Sequence, residues 1–495
     1  MIAASTVWII AAPLLGGVCA FLLNRRYAAL AIIFTVIAVY ILSLLLAWDV
    51  QQAGLSFYKI GGWGSPLGIE FRLDGLSSLM LLSTAFFGIG ISVYASGYFD
   101  SASSVKGMQT SLFFWPFWLI AWGGLNALFL SGDIFNLYVC LEVMSFASIA
   151  LVITGSTVDA ITAVVRYLLM SLIGSLFYLL GVVFLYSAYG TLDLASLSQA
   201  IGQGPEVSIA IVTMLVGILI KAALFPLHVW LPPAHANAPA PVSAILSSLV
   251  ILAAFYLTAR LWFSLFYTAL SPYLGQLLGI LGVIAIFYSS IHALKQSRLK
   301  MLVAYSTAAQ VGYMFLLFPL SGSGSGAEVF AWSGGIYFAI SHACAKAAVF
   351  LFAGSLMYSL GHDQIDKLEG LAVKFPVGMM TFAISGLSLV GLPPSGGFVA
   401  KWLLLKAALI SGQWWYAVCM LVGSFFTIAY IFRVIEISLR PDTENKNTMK
   451  PIPPAMQYSA LALSLAALLM GLVASPPLEL LKQGRPNTME WRGSE

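Results

Sequence analysis

The chain has 495 residues, of which 60% are apolar and 8% charged, and its 23 basic and 19 acidic side chains leave a formal net charge of +4. A soluble domain carries roughly 25% charged residues, so a water-soluble globule, a disordered chain and a nucleic-acid binder are excluded, and the charge is too balanced for a polyanion partner. What remains is an all-α polytopic membrane protein.

A bilayer core takes about 20 apolar residues per helix. On that rule about fourteen transmembrane helices follow in chain order: 2–23, 27–47, 74–96, 111–130, 134–154, 165–189, 207–230, 240–263, 274–293, 301–319, 332–358, 376–410, 413–437 and 455–475. No basic residue precedes the first apolar run, which therefore reads as a span and not a cleaved signal peptide. Connections are short, and no soluble domain fits between spans. The GSGSG at 322–326 is a flexible turn before a span. Cys19, Cys140, Cys344 and Cys419 lie singly in apolar runs and read as small core residues. No GxxxxGKS, GxGxxG, HExxH or CxxC pattern is present, so no nucleotide, metal or other cofactor is expected.

Loop bases set the orientation. Thirteen, including Lys106, Lys300 and Lys446, follow odd-numbered spans, while Lys59, Arg72, Arg260, Lys482, Arg485 and Arg492 lie on the other side. Both termini are thus expected on the non-cytoplasmic side of a cell membrane. The other four bases, Lys221, Lys346, Lys401 and Lys406, fall inside predicted spans. A charge at the bilayer centre costs around 2.5–3.5 kcal/mol on insertion scales, and a chain that keeps several usually lines a pathway with them.

The chain also resembles itself. Gly174, Ser175, Leu176, Tyr178, Leu180 and Gly181 recur 180 residues later as Gly354, Ser355, Leu356, Tyr358, Leu360 and Gly361. Arg166 and Lys346, which head the two stretches, share that offset, and so do Lys221 and Lys401. The two copies are five spans apart and cross the membrane in opposite directions, which is the inverted-repeat plan of ion-coupled transporters. Both lysine segments predict discontinuous helices. Pro226, Pro232, Pro233, Pro239 and Pro241 follow Lys221, while Pro393, Pro394, Gly396 and Gly397 precede Lys401.

Glu142 is the acid inside the first repeat's apolar core, with Lys221 as its counter-charge two spans later. Such a pair suits ion transfer, because neutralising Glu142 would leave Lys221 without a partner and favour release of its proton. The same pair can equally be a static device that fixes helix packing. His342 and Lys346, four apart, share a helical face. His228 lies in the first broken segment, and these two histidines stand out from His235 and His292, which read as packing residues. His362 reads as an exposed loop residue. Lys406 either reaches towards an aqueous exit or snorkels. Asp74 and Asp133 stand at span entrances, where an N-cap role needs no transport function.

The stretches SGDIFNLYVCLE (131–142), IKAALFPLHVWLPPAHANAPAPVSAIL (220–246), KMLVAYSTAAQVGYMF (300–315), SHACAKAAVFLFAGS (341–355) and GLPPSGGFVAKWLLLKA (391–407) resemble the antiporter-like subunits of Mrp-type Na⁺/H⁺ antiporters, membrane-bound hydrogenases and respiratory complex I. The GDIFNLYVxxE pattern looks most like the Mrp D subunit or its hydrogenase relatives. The resemblance implies two inverted five-helix repeats, here 111–263 and 274–437, flanked by helices at 1–110 and a last helix and tail at 455–495. It implies an acid–lysine pair at Glu142 and Lys221, a central histidine–lysine motif at His342 and Lys346, and a terminal lysine at Lys401. The family's lysine at the head of the sixth span is replaced by Arg166, which stays protonated and is suited to tuning neighbours, not to carrying protons. Many members also bridge the halves with a lysine or histidine where this chain has Leu252. Ser247, Ser248 and Thr258 are the polar groups there, with His228 and His235 as further bridges. The reading is a subunit that is not catalytic alone and exchanges H⁺, expectedly for Na⁺, among other integral membrane subunits. Its rivals are a proton-pumping subunit of a redox-driven complex, a structural subunit that has lost transport, and, more distantly, a haem-binding protein using His228 and His342.

Overall fold

The computed structural model describes residues 2–100, 105–154, 158–269, 273–322, 325–442 and 449–485. Lys446, Arg492 and part of the 322–326 turn lie outside the described residues, as does the side chain of Lys106. In hydrocarbon every backbone N–H and C=O needs an internal partner, so long helices dominate. Twelve helices among the described residues are long and apolar enough to cross a membrane. They comprise α1 (Ile2–Leu22), α2 (Arg25–Ala53), α3 (Gly75–Asp100), α4 (Val105–Leu130), α5 (Ile134–Ile153) and α6 (Val158–Tyr189). After α7 and α8, described next, come α9 (Ala240–Phe266), α10 (Tyr273–Leu294), α11 (Leu299–Leu320) and α12 (Ala327–Leu360). After α13 and α14 come α15 (Trp414–Leu439) and α16 (Pro454–Leu472).

The two remaining hydrophobic segments are interrupted. Helix α7 (Pro205–Lys221) stops at Lys221 and gives way to turns until α8 (Leu231–Asn237). Helix α13 (Pro376–Val390) stops short of Pro393 and Pro394, and α14 (Gly396–Ile410) resumes beyond them. Each break holds one residue in the left-handed region, Ala223 at φ 53° and Gly391 at φ 85°. The prolines explain the stops, since each lacks the N–H that would continue the ladder. The break follows Lys221 but precedes Lys401, as their sequence context predicts.

The central stretches of α9 and α12 are enclosed by the other helices, whereas α1 and α2 leave most of their surface outside. Close approach is made by glycine. Gly174 on α6 and Gly217 on α7 lie back to back, and a Cβ on either would meet the other's backbone. Gly282 on α10 and Gly312 on α11 do the same, as small residues commonly do between membrane helices. A short antiparallel hairpin, β1 (Ser56–Lys59) and β2 (Glu70–Leu73), pairs Ser56 with Leu73 and Lys59 with Glu70. It is anchored where the Gly132 N–H donates to the Glu70 carbonyl at 3.0 Å. The hydropathy pattern does not foretell this hairpin.

Two bases expected in loops are buried in helices. Arg260, on α9, holds Asp74 through Nη1 at 2.5 Å and Nη2 at 2.8 Å, while Arg72 Nε donates to the same carboxylate at 2.9 Å. Asp74 does accept the expected N-terminal bond, from Ser77 N at 2.9 Å. Its larger role is to tie α3 to α9. Removing one partner of a buried pair strands the other charge and costs about 3–5 kcal/mol. Arg260→Met leaves Asp74 with Arg72 as its remaining charged partner, so it is expected to lower the melting temperature of the purified protein, and adding Arg72→Met to lower it much further. Lys300, the second misplaced base, is buried near the start of α11. His362, expected to be exposed, is half-buried beside Asp363, which is buried and paired with Arg298 at 3.1 Å.

Candidate functional site

A line of buried polar side chains runs through the two broken segments and the continuous helices packed against them. At one end, Lys221 is the last residue of α7, and its ammonium donates to Glu142 Oε1, Ser145 Oγ and Ser171 Oγ, each at 2.9 Å. Those three bonds use all three of its donors. Ser175 Oγ also donates to Glu142 Oε1. Lys221 is 5% exposed and Glu142 13%. Glu142 and Ser145 are three apart on α5, Ser171 and Ser175 four apart on α6, and each pair thus shares a helical face. The Gly174–Gly217 approach presses α6 and its serines onto Lys221. Their spacing was readable, but nothing in it says that the three helices converge. A small cavity beside the lysine is lined by Ser145, Tyr167, Ser171 and Trp230.

At the centre, His342 and Lys346 are buried on α12. Lys346 Nζ donates to the Val303 carbonyl at 3.0 Å and to Ser306 Oγ on α11. No carboxylate pairs with it among the described residues. Lys300 Nζ donates at 2.5 Å to the carbonyl of Ala238, which caps the C-terminus of α8. His235, on α8, is fully buried, stacks on Phe350 with ring centroids 5.3 Å apart, and has Lys346 and Lys300 as its charged neighbours. The backbone of Ser243 stands beside the His235 ring and that of Ser247 beside the His342 ring, though neither ring closes an ideal hydrogen bond among the described residues. Ser247 Oγ and Thr307 Oγ1 lie 2.8 Å apart between α9 and α11. Ser248 turns back to its own helix, donating to the Ala244 carbonyl at 2.6 Å. Both serines sit in a π-helical turn, Leu246–Val250, a widening that recurs at functional sites. Leu252 is buried and offers nothing polar.

At the other end, Lys401 Nζ on α14 donates to the Val390 and Leu389 carbonyls at 2.9 and 3.3 Å and to Ser424 Oγ at 2.9 Å. It also lies 4.2 Å from the centroid of the Tyr313 ring. The interruption of α13 thus frees terminal carbonyls, which hold the ammonium in place of a carboxylate. Gly391 is needed here twice, for its positive φ and because a Cβ would press on Lys401 Cδ at 2.6 Å. Gly391→Ala is expected to cost about 1–2 kcal/mol of stability through the left-handed backbone alone. It should also displace the Lys401 side chain, and the purified variant is expected to melt at a lower temperature.

The other predicted site residues lie apart from this line. His228 is buried against Phe225 and Tyr288, at ring distances of 5.6 and 5.4 Å. His292 stacks on Tyr288 at 4.2 Å. Arg166 is exposed and lines a surface cavity with Asp159 and Arg298. Lys406 is exposed, its Nζ 4.0 Å from the Phe330 ring centroid. Asp133 caps α5 by accepting from Asn136 N at 2.7 Å, and burial raises its carboxyl above the ordinary value. Sequence reasoning missed Lys300 and the hydroxyls that surround the lysines. It also ranked His228 above His235.

Residues 131–427 match the family described as "NADH:quinone oxidoreductase/Mrp antiporter, TM". The chain is 36% identical over 423 residues to the N subunit of NADH-quinone oxidoreductase from Desulforudis audaxviator, covering 84% of this chain and 82% of the relative. It is 30% identical over 404 residues to the D subunit of the Na(+)/H(+) antiporter from Alkalihalophilus pseudofirmus, covering 81% and 79%. Among solved structures, a chain of the Mrp complex from Dietzia sp. superposes with a TM-score of 0.87 at 25% identity, over 97% of this chain and 96% of that one.

Proposed function

The chain belongs to the NADH:quinone oxidoreductase/Mrp antiporter transmembrane family, and from that premise we propose that it is the proton-translocating, antiporter-like subunit of a multisubunit membrane complex. It exchanges H⁺ for Na⁺ or another monovalent cation. The observation that carries this reading is the burial of Lys221, Lys346 and Lys401 in one apolar interior, with Glu142 as the only carboxylate bonded to any of them among the described residues. Stability alone gives no reason to bury three ammonium groups, since each is costly to desolvate. Proton transfer does, because a buried amine is readily persuaded to give up its charge when a neighbour changes.

Protons pass between Glu142, Lys221, the central His235, His342 and Lys346, and Lys401. His235 is the better bridge across the apolar Leu252 position, since its ring has Lys300 and Lys346 as charged neighbours while His228 rests on Tyr288. Segments 111–263 and 274–437 act as inverted half-channels, each with one helix break. Other integral membrane subunits complete the complex, in keeping with the assembly that holds the Dietzia chain. The termini face away from the cytoplasm, because the loop bases keep the same excess once the buried Arg260 and Lys300 are set aside.

The test is a cation pulse applied to vesicles carrying the intact complex, with a pH gradient set up by an unrelated pump. Exchange predicts a Na⁺- or K⁺-dependent collapse of the gradient without any electron donor. The second reading, a proton-pumping subunit of a redox-driven complex, is favoured by the identity to the NADH-quinone oxidoreductase relative. It predicts no response to the cation and proton movement only on adding a reductant.

A further inference from the structure

Between Lys346 and Lys401 lies a row of hydroxyl groups with no part in the pathway described so far. Helix α15 carries Ser424, Thr427 and Tyr430 at intervals of three, so they stack along one side of the helix. Ser424 Oγ receives the Lys401 ammonium at 2.9 Å. Thr427 and Tyr430 are fully buried. At the far end, Ser306 Oγ on α11 receives the Lys346 ammonium. The Tyr430 hydroxyl closes no fixed hydrogen bond, yet Thr427, Gln310 and Ser306 are the side chains that stand around it. Gln310 in turn donates to the Leu389 carbonyl at 3.3 Å, the same oxygen that receives Lys401.

The phenol is thus enclosed by three polar side chains, two of which, Ser306 and Thr427, are themselves hydroxyls able to accept and donate. Ser306, Thr427 and Ser424 each donate to a carbonyl of their own helix, at Val303, Gly423 and Met420. Each keeps a lone pair free to accept a proton, Ser306 and Ser424 having used the other for a lysine ammonium, and a hydroxyl that accepts one can release its own.

We propose that Ser306, Tyr430, Thr427 and Ser424 form a hydroxyl relay that hands protons between Lys346 and Lys401, with Tyr430 as the link that turns between the two helices. In one passage, an N–H bond of the Lys346 ammonium breaks as an O–H bond forms on Ser306. Each hydroxyl passes its previous proton onward, and the last is taken up by Lys401 in its neutral form. Lys346 ends as an amine and Lys401 as an ammonium, with every hydroxyl restored. Gln310 positions the phenol and carries no proton itself. The proposal rests on the reading that the two lysines exchange protons, and the test separates the two ideas.

Cation-driven pH change is measured in vesicles carrying the intact complex, alongside complex abundance and melting temperature. Tyr430→Phe and Thr427→Val keep the shape of each side chain and remove only the hydroxyl. Each is expected to slow the pH change by roughly ten- to a hundredfold at normal abundance. Thr427→Ser should recover most of what Thr427→Val loses, and the double variant should be no slower than the slower single one, since one route is cut twice. Wild-type rates in Tyr430→Phe and Thr427→Val, with Lys346→Ala and Lys401→Ala inactive, would overturn the relay and leave the proton reading standing. Wild-type rates in all four would overturn both. If Tyr430→Phe fails to assemble, the two Thr427 variants decide the matter, and a serine variant as slow as the valine one overturns the relay.

Discussion

Glu142→Ala is expected to destabilise the complex by about 3 kcal/mol and to abolish cation-driven proton movement, while Glu142→Gln combined with Lys221→Met restores the stability and not the transport. The first part follows from the geometry. Lys221 has its three donors filled by Glu142, Ser145 and Ser171, and of these only Glu142 supplies a negative charge. Deleting it strands a cation in an apolar interior, which costs about 3–5 kcal/mol. The lower end applies because Glu142 keeps some exposure and Lys221 escapes part of the penalty by releasing its proton. The double variant removes both charges and leaves neutral groups of similar size, a replacement that is often neutral or better. A packing role for the pair predicts that restoring stability restores activity. A transport role predicts that it does not. Thermal melting of the purified complex and the pH change in vesicles, measured on the same preparations, separate the two.

Lys346→Met should behave oppositely in stability and alike in transport. Among the described residues this lysine has no counter-charge, only the Val303 carbonyl and Ser306 Oγ. Its removal exposes no stranded partner, and methionine refills the volume with apolar contact. Stability is expected to hold or to rise by about 1 kcal/mol, because a polar group whose burial is poorly compensated has been lost. Transport between the two halves should cease, since Lys346 is the α12 side chain that donates to Ser306. A variant that melts higher and moves no protons would mark Lys346 as a residue kept for its chemistry. One that melts lower and still conducts would mark it as structural.

The hydropathy of the chain made the spans legible, and the prolines after Lys221 and before Lys401 made both interruptions legible. Glu142, Lys221, His342, Lys346 and Lys401 were likewise visible as charged or titratable residues inside apolar runs, and all but Glu142 are buried. What stayed hidden has a common cause. Arg260 and Lys300 sit within a few residues of predicted span ends, and hydropathy cannot tell a base that snorkels outward from one turned inward onto Asp74 or Ala238. His228 lies in the turns of the break and His235 on α8, seven residues on, and only the packing of α8 against Phe350 and of the break against Tyr288 distinguishes them. The hydroxyls around the lysines come from α5, α6, α11 and α15. Serine and threonine are ordinary in membrane helices, so their roles emerge only when the helices meet.

The central claim, that buried titratable groups carry protons through this protein, is tested most directly by the cation-triggered pH change in membranes carrying the intact complex, comparing wild type with Glu142→Ala and Lys221→Ala at matched abundance. Loss of the Na⁺- or K⁺-dependent signal in both variants is the predicted result. Full activity in both would contradict the account and leave Glu142 and Lys221 as a pair that only holds helices together.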